Sequence, residues 1–265
     1  MEETSLLEHT NKSDVLLQGV IVFVFLAALT ALEFFVAIAV GSVVLLAMIA
    51  FVKVGLVLYY YMHIYRLNAQ DDALDRHSYQ YKLTTSRMGL WLFLLSDAFI
   101  FGGLFVSRFN LLGLTALPLS SDSQYIALTI TSVLLLSSFF MNRAEVSMEH
   151  GDRQGFILGI SITIALGLIF LAGVIFVEWP SAISIGVTPA SNAAGAIFFI
   201  MTGMHAFHVL TGVIFLSIVL RNGSRGLYSP EKHWAVESAT TYWHFVDVVW
   251  LFFYPALYLI GKLVS

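Results

Sequence analysis

Seven stretches of this 265-residue chain are apolar for about twenty residues each, the length an α-helix needs to cross a bilayer. They run from about Val15 to Val40, Val43 to Ile64, Met88 to Phe109, Gln124 to Met141, Phe156 to Val177, Ala193 to Leu220, and from Val236 on to Leu263. Seven such spans use over half the chain and leave only short loops, with no sizeable aqueous domain. Composition agrees: charged residues make up 11% of the chain, against about 25% in soluble domains, and apolar types reach 58%. The expected fold is all-α, a polytopic integral membrane protein.

Several function classes fall away at once. The net charge of −4 is small and scattered, which argues against a nucleic-acid surface and against a polybasic lipid anchor. Cysteine is absent, so the chain has no disulfide, thiolate-held zinc, iron–sulfur cluster, Cys-x-x-Cys-His haem attachment or thiolate copper centre. Glu2, Glu3, Glu8 and Asp14 against a single Lys12 have the wrong sign for a signal-peptide n-region, and no cleaved leader is expected.

The spans divide into two groups, two and five. Only Gly41-Ser42 separates the first two, which makes residues 1–66 a tight helical hairpin. From Tyr65 to Ser86 the chain is polar, with Arg66, Asp71, Asp72, Asp75, Arg76 and Lys82, and residues 67–86 read as a linker to a five-helix bundle over 87–265. With seven spans, Lys12, Arg66, Arg76, Lys82, Arg87, Arg143, Arg153, Arg221, Arg225 and Lys232 fall on one side, and Arg108 and Lys262 on the other. The positive-inside rule then puts the N-terminus in the cytoplasm and the C-terminus outside.

Ionisable side chains inside the spans are where function is sought, because each costs about 2.5–3.5 kcal/mol at mid-membrane and has to face protein or a polar cavity. Glu33 and Lys53 lie eight and twelve residues from Gly41 on opposite arms of the hairpin. Their depth difference, about 6 Å at 1.5 Å per residue, is within reach of a snorkelling lysine, so a buried ion pair is expected. Asp97 stands near the middle of the third span. In the sixth, Thr202, His205, His208 and Gly212 follow three, three and four apart, a small polar stripe on an apolar rod. The seventh repeats the design, with Glu237, Thr241, His244, Asp247, Tyr254 and Tyr258 on one face.

Two chemistries compete for these groups. His205, His208 and His244, joined by Asp247 or Asp97, are of the types that bind iron or copper, as in a membrane haem or di-metal enzyme; crowding by Met204, Phe207, Trp243 and Phe245 argues against it. A proton-coupled transporter would also use buried Asp and His, but no Gly/Pro-broken helix pair or inverted repeat is evident. A catalytic haem–copper subunit needs six imidazoles inside the membrane, which this chain cannot supply.

The run Tyr242-Trp243-His244-Phe245-Val246-Asp247-Val248-Val249-Trp250, preceded by Thr202-Gly203-Met204-His205-Ala206-Phe207-His208-Val209, resembles subunit III of haem–copper terminal oxidases. Leu95-Ser96-Asp97, Leu135-Leu136-Ser137-Ser138, Leu166-Gly167 through Phe170, and Glu178-Trp179 match in the same order over residues 87–262, with Asp97 for the family's Glu, Ala206 for Gly and Ile175 for Gln as departures. Leu29-Thr30-Ala31-Leu32-Glu33, Lys53 and Tyr61-Met62-His63-Ile64 are similar instead to the first two helices of the small prokaryotic subunit IV, with Tyr61 and Ile64 as departures and the third helix missing.

The resemblance implies a non-catalytic accessory subunit of a proton-pumping oxidase, cytochrome c- or quinol-oxidising, formed by fusing a truncated subunit IV to a five-helix subunit III. It would bind the haem–copper subunit I and subunit II, which carry the haem and copper. No cofactor of its own is implied except phospholipid, expected at Arg221, His233 and Glu237. The family's buried carboxyl at the position of Asp97 is carbodiimide-reactive and linked to proton uptake. His205, His208, His244 and Asp247 would be structural. The bacterial cytoplasmic membrane is expected in preference to the mitochondrial inner membrane, and the hairpin is expected to dock as subunit IV does, away from the five-helix body.

Overall fold

The computed structural model describes residues 12–40, 42–62, 79–119 and 122–260. His63 and the linker up to residue 78 lie outside them. Seven helices account for nearly all the rest: α1 (Lys12–Ala39), α2 (Val43–Leu56, widening into a π turn at Val57–Tyr61), α3 (Tyr79–Leu112), α4 (Asp122–Glu149), α5 (Arg153–Ala172, continuing through a π turn at Gly173–Glu178 into Trp179–Ser184), α6 (Ala193–Ser224) and α7 (Trp234–Tyr254, then a π turn at Pro255–Leu259). Among the described residues there is no strand, only a single bridge between Ser229 and Lys232.

Six of the seven have the length and apolarity of a membrane span: Leu16–Ala39, Val43–Tyr61, Leu83–Leu112, Ser123–Glu149, Arg153–Ser184 and Ala193–Ser224. The exception is α7, in which Glu237, His244, Asp247 and a pair of threonines dilute the hydropathy. It is also the most enclosed helix. From Val236 to Ile260 only Glu237, Thr241 and Phe252 escape full burial. A helix buried on every side is the centre of a bundle, and α7 packs against α2, α3, α4 and α6 there.

Local signals set the boundaries. Ser42, Asp152 and Asn192 cap α2, α5 and α6, their side-chain oxygens accepting from the backbone N–H of Leu45, Gly155 and Gly195. Gly151, at φ 72°, turns the chain between α4 and α5, a conformation that side chains resist. The two helices make the most extensive contact in the molecule. α3 begins at Tyr79, inside the stretch read as linker. From Tyr65 to Ser86 there is neither Gly nor Pro to stop a helix, so polarity marked where the apolar span ends, not where the helix does.

The hairpin does not stand apart from the five-helix body, contrary to the docking expected from its likeness to subunit IV. Gly19, Val22, Leu26, Thr30, Glu33 and Ala37 recur at helical spacing as the buried face of α1. That face lies on α4, with Phe23 against Phe139 at 5.3 Å between ring centroids. On the other arm Phe51 meets Phe252 of α7 edge-on at 5.5 Å, and the Tyr61 ring lies 4.9 Å from His244. Aromatic contacts on both arms seat the hairpin on the bundle, with Tyr61 fully buried there.

Candidate functional site

The polar side chains singled out in the sequence fall into four places. The first is the hairpin, where Lys53 Nζ is ion-paired with Glu33 Oε2 and both residues are 0% exposed. The expected pair is therefore formed. Thr30, one turn before Glu33, donates to the Leu26 carbonyl at 2.8 Å.

The second lies between α3 and α6. Asp97 Oδ2 faces His208 Nε2 at 3.4 Å, and both residues are buried. His208 Nδ1 meets the Met204 carbonyl at 2.8 Å, and because a carbonyl can only accept, Nδ1 carries a hydrogen. That leaves Nε2 turned towards the carboxyl. Phe101 closes the site with its ring edge-on to His208 at 4.6 Å. The partner of Asp97 comes from α6, and no basic residue within two turns of it on α3 competes for the carboxyl.

The third is the core around α7. Trp250 Nε1 donates to Thr131 Oγ1 at 2.9 Å, Trp243 Nε1 to Ser137 Oγ at 3.0 Å, and His244 Nδ1 lies 3.0 Å from Ser138 Oγ. The aromatic and ionic run is thus fastened rung by rung to hydroxyls on α4. Asp247 sits 3.9 Å from the same His244 nitrogen. Trp243 also covers Gly167 of α5, where a Cβ would clash with its ring, and lies tightly over Gly212 of α6. His205, wholly buried, is enclosed by Phe170, Trp250 and Phe253, and Thr202 accepts from Trp179 Nε1 at 3.1 Å.

The three histidines considered as metal ligands therefore have three different sets of neighbours. Among the described residues no group of three or more His, Cys, Asp or Glu is arranged to hold a metal ion.

The fourth place is the polar end of α7. Arg87 Nη2 reaches both Glu237 oxygens, at 2.9 and 3.3 Å, and stacks over Trp234 at 5.9 Å. His233 Nε2 lies 3.6 Å from Glu237. Arg221 is exposed in the last turn of α6. His233 and Glu237 thus lie together, with Arg87 as the cation between the helices, a residue read from sequence only as one of the charges on that side. Arg108 was missed too. It is fully buried, and its guanidinium donates to the carbonyls of Ala256, Gly113 and Thr115 at 2.9, 3.0 and 2.8 Å.

Comparison with known proteins matches residues 10–262 to the family model for cytochrome c oxidase subunit III, a range that begins ahead of α1 and includes the hairpin. Similar relatives are the cytochrome c oxidase subunit 3 of Thermostichus vulcanus, 32% identical over 179 residues, covering 66% of this chain and 87% of the relative, and that of Synechocystis, 31% identical over 201 residues, covering 73% and 84%. The subunit 3 of Salmo salar is 35% identical over 189 residues, covering 66% and 70%. With the aromatic and ionic run at the centre of the bundle and the histidine stripe packed beside it, the chain belongs to the cytochrome c oxidase subunit III family.

Proposed function

We propose that this chain is the non-catalytic accessory subunit of a proton-pumping haem–copper oxidase, stabilising subunit I, which with subunit II carries the haem and copper, and sitting with its N-terminus in the cytoplasm and α7 as a seventh crossing. The observation that carries the reading is the family match over residues 10–262. Large apolar side chains such as Leu92, Phe99 and Val106 of α3 and Phe25 and Phe35 of α1 point out of the fold, surface suited to lipid and to partner helices. Affinity capture of the tagged chain from mild-detergent extracts tests the reading: haem, copper and oxygen reduction should come with it, and capture of the chain alone at full yield would refute it.

The Glu33–Lys53 pair supports a subunit IV-like origin for the hairpin, while its packing on α4 and α7 favours present service as the two leading helices of subunit III. Relatives from both cyanobacteria and fish are compatible with a bacterial or a mitochondrial membrane; the prokaryotic character of the hairpin favours the bacterial one.

Two finer roles follow. Arg221, exposed in the last turn of α6, is suited to a phospholipid headgroup, with His233 and Glu237 at the start of the next helix. Arg221→Ala should lower the phospholipid retained by the purified complex, read by phosphorus and mass analysis; unchanged retention would remove the assignment. Asp97 and His208, facing each other at a seam between helices, are suited to assist proton uptake. Asp97→Asn keeps the shape but cannot take a proton, and it should slow proton-uptake-limited turnover several-fold with the subunit still bound. Turnover at the parent rate would end the proton role.

A further inference from the structure

The rungs that fasten α7 to α4 are not all alike. Trp250 donates to Thr131, and two turns nearer the start of α7 Trp243 donates to Ser137 while His244 meets Ser138. The higher number on one helix pairs with the lower on the other, so the two run antiparallel here. The rung in between falls at Asp247, three residues from His244 and three from Trp250. Midway between Thr131 and Ser138, the matching positions on α4 are Leu134 and Leu135, both buried. A leucine offers a carboxyl nothing to bond.

Asp247 is 2% exposed, and neither Oδ1 nor Oδ2 has a hydrogen-bond partner among the described residues. Its Oδ2 lies 3.9 Å from His244 Nδ1, beyond hydrogen-bond length, while the same nitrogen is 3.0 Å from Ser138 Oγ. Buried polar atoms are almost always bonded to protein or to ordered water, and the two oxygens of this side chain have no protein donor. A gap longer than a hydrogen bond between polar groups is where a bridging water belongs, and a buried water needs two to four polar partners. The carboxyl supplies two acceptors, and Ser138 and His244 stand beside it. The hairpin closes the place, with the buried Tyr61 ring 4.9 Å from His244. The Tyr61 hydroxyl donates to the Gly19 carbonyl at 3.0 Å, so its hydrogen does not serve Asp247.

We propose that Asp247, with His244 and Ser138, holds one ordered water in the core of the bundle, where α4, α7 and the end of α2 meet. The water donates to the carboxyl and makes its further bond to Ser138 or His244, completing the rung that Leu134 and Leu135 leave empty. The site explains why the middle position of an otherwise aromatic and hydroxyl ladder is an acid: a leucine there would match the leucines it faces, whereas aspartate keeps a solvent molecule between the helices.

Cryo-electron microscopy of the purified full chain with its bound partners in lipid nanodiscs, at a resolution that shows ordered water elsewhere in the bundle, tests this on the parent, D247N and D247L. The parent and D247N should show a water peak within hydrogen-bond distance of residue 247 and of Ser138 or His244, and D247L should lack it. A parent carboxyl touched by protein atoms alone, or a peak that persists in D247L, overturns the proposal. Hydroxyl-radical labelling by pulsed X-rays in isotope-labelled water gives a second readout, because a bound water is a local source of radicals. His244, 0% exposed, should be labelled in the parent and several-fold less in D247L; no label in the parent, or equal label in D247L, counts against the site. Should D247L fail to assemble, the parent decides by its peak and its label.

Discussion

Lys53→Met is expected to cost the protein about 3–5 kcal/mol, the penalty for leaving one member of a buried ion pair without its partner. Both residues are 0% exposed, so no solvent screens the loss. Methionine matches the length of the lysine stem, and the effect therefore reports charge and not volume. Because α1 and α2 are held to each other by this pair and by the Tyr61 hydroxyl donating to the Gly19 carbonyl, and to the bundle by Phe23, Phe51 and the Tyr61 ring, the hairpin should loosen first. Thermal unfolding and protease access to α2 in nanodiscs would measure it. The double variant Glu33→Gln with Lys53→Met should regain most of the loss, since replacing both members of a buried pair by neutral groups is often neutral or stabilising. A single variant as stable as the parent, or a double variant as unstable as the single, would show that the pair does not hold the hairpin.

What the sequence made legible, it did through periodicity and cost. The apolar runs give every helix, because in hydrocarbon a twenty-residue apolar segment has no other way to satisfy its backbone. The Glu33–Lys53 pair is legible because only two arms and a two-residue turn separate its members, leaving few partners to choose from. Asp97 and His208 were both visible, yet their pairing was not: it depends on how α3 and α6 are rotated against each other, and spacing within one helix carries no such information. The same holds for Thr131, Ser137 and Ser138, whose bonds to Trp250, Trp243 and His244 require α4 and α7 in register. The docking of the hairpin differs from what its likeness to subunit IV implies because the charged pair closes on itself and the aromatic residues beside it make the contact.

Arg108 is the other residue whose removal should have a large effect. An arginine near the end of an apolar span reads as an ordinary interfacial anchor, but here the side chain turns inward and its guanidinium spans three backbone carbonyls from two parts of the chain. Gly113, at φ 56°, reverses the chain after α3 so that its carbonyl and that of Thr115 come within reach. The Ala256 carbonyl is available because the π turn at Pro255–Leu259 departs from α-helical bonding. One charged fork thus fixes the end of α3, the following loop and the end of α7 together. Hydrogen bonds to charged groups contribute about 1.5–3 kcal/mol each, and the buried carbonyl of Ala256 and the part-buried ones of Gly113 and Thr115 lose their partner at once in Arg108→Met, so the expected loss is about 3 kcal/mol or more after partial rehydration of the loop. Arg108→Lys keeps the charge but not the fork and should recover only part of it. Limited proteolysis at residues 113–119, with thermal unfolding of the complex, would measure both variants. Full parent stability in Arg108→Met would mean that water replaces the guanidinium at all three carbonyls and that the two helix ends are held by apolar packing alone.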